Sequence, residues 1–410
     1  MYRKGLLLLC ILFVLGFLPG TSAAQRGVPV TEKPRPDYDA LGIRAGGFVV
    51  KPELTLGMEY NDNIYATRSS TKSDWITTIA PEVDISSNWN RHALGLNTGI
   101  TAGLYSSESD ENYVDGRVLL NGRLDVLRES FLMGNFAFQR LHEERGAPDA
   151  VAAWDEPAIF YSTSGDVAYY HGMGKVSVTA GAGFLNLDYQ KVDLAAGGSD
   201  RLRDRDRNIY NVNARIAYEL TPDVQPFLTT RYNWRRYDKA DRNVNVRRDS
   251  EGYAIGAGTG FDLGGVTSGE IWAGYMQQNY DNLKNVSGFW YGTSLLWNVT
   301  EMTSVQAGIE SSVKETATTG ASGIDGVDAN LRIDHELLRN LLVGAFLNYT
   351  HDTYKGINRT DQYFTVGPRV TYLWNRNLSA EMAYSHRQRD SNRADDFEQN
   401  RFSVALTGKF

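Results

Sequence analysis

The stretch Arg401-Phe402-Ser403-Val404-Ala405-Leu406-Thr407-Gly408-Lys409-Phe410 alternates from end to end. Phe402, Val404, Leu406 and Phe410 take one parity, with Gly408 the one small break. Arg401, Ser403, Ala405, Thr407 and Lys409 take the other. Successive side chains of a strand point to opposite faces, so this is a strand with one apolar and one polar face. A last strand left free in water would be a frayed edge. A strand that closes a barrel in lipid has both edges paired, and the rest of the chain decides between the two.

From Phe48 onward the same alternation recurs. Val50, Pro52, Leu54, Leu56, Met58 and Tyr60 oppose Lys51, Glu53, Thr55, Gly57 and Glu59. Eighteen such strands are predicted, at 48–60, 75–87, 92–105, 113–126, 131–143, 158–171, 175–190, 208–220, 224–237, 251–263, 268–282, 288–299, 303–315, 325–335, 340–354, 361–374, 378–390 and 399–410. The faces near 158–171, 175–190 and 268–282 are ambiguous and allow sixteen. Connections after odd strands are mostly long and polar, as at 61–74, 144–157, 191–207 and 238–250. Those after even strands are short, as at Asn88–Arg91 and Asn375–Asn377. Short turns on one side and long loops on the other predict an all-β, transmembrane, antiparallel up-and-down barrel, with turns in the periplasm and loops outside. A propeller would repeat a blade motif, and none recurs. The residues Tyr60, Trp75, Tyr210, Tyr218, Trp234, Tyr253, Trp297, Tyr372, Trp374 and Tyr384 fall at strand ends on the apolar parity, where amphipathic rings meet a membrane interface.

The 410 residues begin with a basic Arg3-Lys4, an apolar run from Gly5 to Leu18, and a small-residue exit at Ser22-Ala23-Ala24. This predicts a cleaved signal peptide over 1–24, and hence export to the outer membrane of a Gram-negative cell. Cys10, the one cysteine, lies inside the apolar run behind Leu7-Leu8-Leu9, which does not make a lipoprotein signal. The mature chain then has no thiol ligand or disulfide, and a net charge of −9, against a polyanion binder such as nucleic acid. Residues 25–46 carry Pro29, Pro34 and Pro36 and read as irregular. A periplasmic tail is the plain expectation, and entry into the lumen or docking of a partner the sharper one. The barrel itself occupies 47–410.

The polar parity carries the candidate lumen-lining residues: Lys51, Glu53, Glu82, Asp84, Arg117, Arg123, Asp125, Arg215, Arg231, Arg235, Asp262, Glu310, Arg332, Arg369, Arg401 and Lys409. Both signs interleave. One expectation is a ladder of cross-strand ion pairs that stiffens the wall. The other is a transverse field in a hydrated lumen that orients charged solutes. Glycines such as Gly256, Gly258 and Gly260 share this parity and leave room. Aromatic, Asp and Asn residues at the outer strand ends, as in Tyr60-Asn61-Asp62-Asn63, suit sugar rings or simply mark interface and turn. The run Asp200-Arg201-Leu202-Arg203-Asp204-Arg205-Asp206-Arg207 reads as a solvated loop, with lipopolysaccharide phosphates as the sharper partner.

No cofactor or metal is expected: calcium at Ser109-Asp110-Glu111-Asn112 or Asp395-Asp396 lacks ligand spacing. No H-E-x-x-H, G-x-S-x-G or P-loop pattern occurs, so no enzyme is expected. The weak exception is a lipid-modifying site at the rim, using Ser385, His386, His351 and Asp352.

The segment Pro34-Arg35-Pro36-Asp37-Tyr38-Asp39-Ala40-Leu41-Gly42-Ile43, the strand end Glu59-Tyr60-Asn61-Asp62-Asn63-Ile64-Tyr65 and Ile79-Ala80-Pro81-Glu82 resemble the putative beta-barrel porin type 2 family. The resemblance covers nearly the whole mature chain and implies an outer-membrane barrel, in some members linked to exopolysaccharide operons. It carries no functional residue across. The function expected is a water-filled channel for small polar solutes or for exported exopolysaccharide. The alternative is a structural or adhesive surface barrel plugged by its loops. Implied partners are outer-membrane lipids and lipopolysaccharide, the outer-membrane assembly machinery, and polysaccharide-export proteins. The aromatic Phe410 fits an assembly signal on the closing strand.

Overall fold

In the computed structural model the chain is described over residues 27–241, 244–393 and 395–410. The expected signal peptide over 1–24 lies outside the described residues. The strands in chain order are β1 (Ile43–Ala45), β2 (Phe48–Asn61), β3 (Asp74–Ser87), β4 (Ala93–Tyr105), β5 (Tyr113–Leu127), β6 (Ser130–His142), β7 (Ile159–Met173), β8 (Val176–Tyr189), β9 (Lys191–Asp193), β10 (Ser199–Arg201), β11 (Arg207–Tyr218), β12 (Val224–Tyr237), β13 (Ser250–Leu263), β14 (Thr267–Tyr280), β15 (Val286–Thr300), β16 (Thr303–Lys314), β17 (Gly323–Leu338), β18 (Leu341–Lys355), β19 (Thr360–Leu373), β20 (Leu378–Ser391) and β21 (Phe397–Lys409).

The short β1 lies against β2, and β9 pairs with β10 inside one loop. The other eighteen strands form the wall of a closed antiparallel barrel. Each pairs with its neighbours in sequence, and β21 returns to β2 through nine registered residues, from Glu53↔Lys409 to Asn61↔Arg401. The three ambiguous segments are full strands β7, β8 and β14, so the count is eighteen. Strands of about 13 residues, rising about 3.3 Å per residue and tilted by roughly 40°, cover about 33 Å, more than an apolar band of about 25 Å requires.

Face assignment follows the period of two. On β2 the exposed Leu54, Leu56, Met58 and Tyr60 alternate with Glu53, Thr55, Glu59 and Asn61. Across the closing seam Tyr384, Phe402, Tyr60 and Trp75 stand side by side in register on β20, β21, β2 and β3. The Tyr60 and Trp75 rings are 5.2 Å apart. This is one arc of an aromatic girdle facing lipid.

Two prolines interrupt the wall without shifting its register. The β3–β4 ladder skips Ala80 and Pro81, and the β19–β20 ladder skips Gly367 and Pro368. Proline has no N–H to donate, so the bond is lost locally while the flanking pairs hold the alignment. Register shifts occur instead at three short turns, between Asp125/Leu127, Asn298/Thr300 and Glu336/Leu338.

The proline-rich segment after residue 27 is not a loose tail. The buried Val30 N–H donates to Ser304 Oγ at 3.0 Å. Lys33 Nζ reaches the Glu301 carbonyl at 2.6 Å. The buried Arg35 pairs with Glu336 at 2.7 Å, and Arg376 Nε donates to the Pro36 carbonyl at 2.8 Å. The segment therefore crosses the turn-side rim from the β15–β16 turn to the β19–β20 turn. It is extended at Pro29 and Lys33, with a single 3-10 turn at Val30–Glu32 between them and a further turn from Arg35 to Asp39, so that successive residues meet successive turns.

Candidate functional site: a loop that spans the lumen

All sixteen candidate charged residues lie on the parity opposite the lipid-facing side chains. They do not form a simple ladder between neighbouring strands. Arg117 on β5 reaches past β4 to Glu82 on β3 at 2.7 Å, and its Nε donates to Asn97 between them. Arg215 on β11 pairs with Glu270 on β14 at 3.0 Å. Arg231 on β12 approaches Glu310 on β16 at 3.6 Å. Such reach needs a bare wall, and glycine supplies it. A Cβ on Gly258 would come within 2.6 Å of the Phe227 ring, and one on Gly256 within 3.2 Å of Trp290. The rings therefore lie flat on the wall, with the Arg215 guanidinium 3.5 Å above Phe227 and that of Arg231 4.9 Å above Trp290.

The remaining candidates divide by height. Near the turn side, Arg332 binds Asp334 at 2.6 Å and Arg369 approaches the same carboxylate at 3.7 Å. Lys51 stands in register with Asp84, and Glu53 with Lys409. Asp125 and Asp262 are committed to turns: Asp125 accepts the His92 N–H at 3.0 Å and Asp262 the Gly265 N–H at 2.9 Å. Asp125 also pairs with Arg123 at 2.8 Å. Phe410 is exposed on the lipid parity, its N–H bonded to the Pro52 carbonyl at 3.1 Å. Near the loop side, Arg235 is held by Glu315, which also accepts from the Tyr237 hydroxyl. Arg401 completes this upper set.

What pattern reading missed is the loop between β6 and β7, residues 143–158. It leaves β6 and lands on the connection between β16 and β17. Counted round the wall, β17 is the ninth strand from β6 in either direction, so the loop runs across a full diameter. Three sets of contacts hold it there. At its root Arg145 pairs with the buried Glu111 of the β4–β5 loop. Beside it Glu144 pairs with Arg387 of β20 at 3.0 Å and faces Arg401 of β21 at 3.7 Å. At its far end Asp149 accepts from Thr316 Oγ1 at 2.7 Å and from the Ala317 N–H at 2.8 Å.

The charge run 200–207 takes part as well. Arg205 and Arg207 are buried rather than solvated. Arg205 pairs with Glu143 at 2.9 Å, donates to the Asp149 carbonyl at 2.7 Å and lies over the Trp154 ring. Trp154 packs with Ala158, Val192 and Leu202 in a small apolar cluster, and that cluster turns the run inward.

The two adjacent glutamates of this strut have opposite environments. Burial pushes the Glu144 carboxyl upward, but Arg401, Arg387 and His142 outweigh it and hold it at about 2. Burial also pushes Glu143 up, and here it wins against Arg205, leaving the group at about 7.

The rim site does not assemble. Ser385 and His386 are consecutive on β20 and so point to opposite faces. His386 meets Asn400 at 3.0 Å, while Asp352 is bound to Lys314 at 2.9 Å. The two calcium candidates are spent in the same way, Glu111 on Arg145 and Asp395 near Arg359 and Arg389. Among the described residues no three His, Cys, Asp or Glu side chains are placed to hold a metal ion.

The family model described as "Putative beta-barrel porin 2" matches residues 35–410. The chain belongs to that porin family. It is accordingly a porin-like channel of the outer membrane. No curated protein matches the sequence. Solved structures similar to the chain at low identity include three outer-membrane proteins. OpdL of Pseudomonas aeruginosa is 14% identical over 89% of this chain and 100% of its own, with a TM-score of 0.43. OpdK of the same organism, solved with vanillate, is 12% identical over 88% and 99%, at 0.46. OccAB4 of Acinetobacter baumannii is 11% identical over 88% and 98%, at 0.47.

Proposed function

We propose that this porin passes small polar solutes rather than a polysaccharide. The observation that carries this is the strut 143–158, tied to both flanks and to the opposite wall. A passage divided by a pinned loop suits compact solutes better than a continuous polymer. The charged residues of the inner face, Asp125 and Asp262 excepted, would line that passage, their fixed pairs orienting the dipoles of passing molecules. The chain would be made with a cleaved signal peptide over 1–24, and be delivered by the outer-membrane assembly machinery. Exposed Arg201 and Arg203 remain as the part of the charge run able to meet lipopolysaccharide phosphates.

The test is single-channel recording in planar bilayers. Steps of steady conductance in potassium chloride, with osmotic uptake of monosaccharides by loaded liposomes, are the expected result. A folded protein that gives no steps at any voltage would sink the reading. That outcome would favour a surface barrel plugged by its loops. The convergence of the 143–158, 200–207 and 315–322 loops speaks for this second reading. Loss of secreted polysaccharide in a deletion strain, with export restored by the intact gene, would instead support polymer export and polysaccharide-export proteins as partners.

A further inference from the structure

Glu144 sits where a carboxylate is received, and the receiving groups belong to the wall. Arg387 and Arg401 come from adjacent strands and aim at the same oxygen, Oε2, at 3.0 and 3.7 Å. Both guanidiniums are positioned by other contacts. Arg387 lies 5.3 Å over the Phe397 ring and donates to the Gly146 carbonyl at 3.1 Å. Arg401 donates to Gln399 at 2.9 Å and has Glu59 at 3.9 Å. Arg401 thus keeps a wall carboxylate of its own, whereas the partner of Arg387 comes from the loop. A half-buried guanidinium needs a counter-ion. That counter-ion belongs to no ladder, so it can leave without breaking a strand pairing.

The neighbouring surface is shaped for more than a lone anion. Gly146 lies directly against Phe397: a Cβ there would come within 2.9 Å of the ring. The ring is therefore a flat floor beside the Arg387 guanidinium, with that of Arg389 5.4 Å from the same ring, and it is covered by loop backbone with no side chain in between. Displacing the loop would uncover an aromatic face next to a paired arginine clamp, which suits a carboxylate carried on a compact ring.

We propose that Arg387 and Arg401 form a binding site for the carboxylate of a small anionic solute, and that Glu144 occupies it as an internal stand-in which such a solute displaces. This builds on the channel reading in one respect, that the solute arrives through the lumen. The tether keeps Glu144 at an effective concentration on the order of millimolar, so the intact protein binds an outside carboxylate weakly. Removing Glu144 exposes the site's intrinsic affinity.

The experiment is calorimetric titration of the detergent-solubilised full chain with glucuronate, using glucose as the neutral control. Folding is checked by heat-modifiable gel mobility. Glu144→Ala should bind glucuronate at least about tenfold more tightly than the parent. Glucose should bind neither, and Arg387→Gln added to Glu144→Ala should abolish the gain. Glu144→Gln provides the same comparison should the alanine variant not fold. Equal glucuronate affinity in the folded variant and the parent, or a gain that survives Arg387→Gln, would overturn the proposal. Because binding is read without conductance, the two readings fail separately. A gain in a protein that forms no channel leaves the site standing, and conductance without a gain leaves only the channel.

Discussion

Asp149 Oδ1 accepts the Thr316 hydroxyl proton at 2.7 Å, and this bond joins the tip of one loop to the wall diametrically opposite its root. The same carboxylate takes the Ala317 N–H through its other oxygen. Asp149→Ala removes both bonds, each worth about 1 kcal/mol. The strut should then loosen at its tip while Glu143, Glu144, Arg145 and the Arg205 bond to the residue-149 carbonyl still tie it. Single-channel records should show a larger mean conductance with more flicker, while unfolding in urea shifts little, since no strand pairing is touched.

The bare wall under Phe227 gives the opposite kind of outcome. Gly258→Val places a branched side chain where the ring now lies, and the neighbouring Trp272 Cβ stands only 2.7 Å from the same point. Overpacking of this sort costs about 1–3 kcal/mol. A lower midpoint of urea unfolding in liposomes, with a displaced Arg215, is expected. A midpoint equal to that of the parent would mean the ring has another place to rest.

Residues of opposite parity on β21 separate the two faces energetically. Leu406→Arg puts a charge on the lipid side, at a cost of about 2–4 kcal/mol near the midplane. Ser403→Arg puts the same charge on the inner parity, where the cost should be under about 1 kcal/mol. Folding yields into lipid vesicles over a urea series distinguish the two. Equal penalties would contradict the face assignment.

The pH response of the strut has two limbs with opposite signs. Glu144 is depressed to about 2, so its contribution is whole above about 4.5 and is lost as pH falls through 2. Glu143 is raised to about 7, so its contribution is whole below about 4.5 and is lost as pH rises through 7. Docking should be tightest near pH 4–5 and loosen on both sides. Hydrogen exchange of residues 143–149 across pH is the measurement. Glu143→Gln should flatten the upper limb alone.

Arg35 fixes the crossing segment at the turn-side rim. Its pair with Glu336 is buried, and removing one partner of such a pair leaves an uncompensated charge, costing about 3–5 kcal/mol. Arg35→Ala should therefore detach the segment. Limited proteolysis should cut near residues 33–41 in the variant and leave the parent whole, with the barrel resistant in both.

The wall was legible because a period of two survives in most strands regardless of what the strand pairs with, and the three ambiguous ones are bounded by clear neighbours. The eighteen predicted spans fall within three residues of those found, the largest difference being Gly323–Leu338 against 325–335. The strut was not legible, and the reason is distance along the chain. Glu144 and Arg387 are separated by 243 residues, and nothing local distinguishes a glutamate bound to a far arginine from one in solvent. The run 200–207 misleads in the same way, since Leu202 and Trp154 draw half of it inward through an apolar contact the charges conceal. Asp125 and Asp262 have the right parity for the lumen, but turn backbone claims them. Parity names a face and not a partner.

The wall is built of sequence-adjacent hairpins with one exception, the seam from β2 to β21. Excising an internal hairpin, or duplicating one, leaves those two terminal edges unchanged and still antiparallel to each other. Girth in this architecture is therefore a quantity that can change in units of two strands. The identities that must be preserved while it does are concentrated in the nine residue pairs of a single junction.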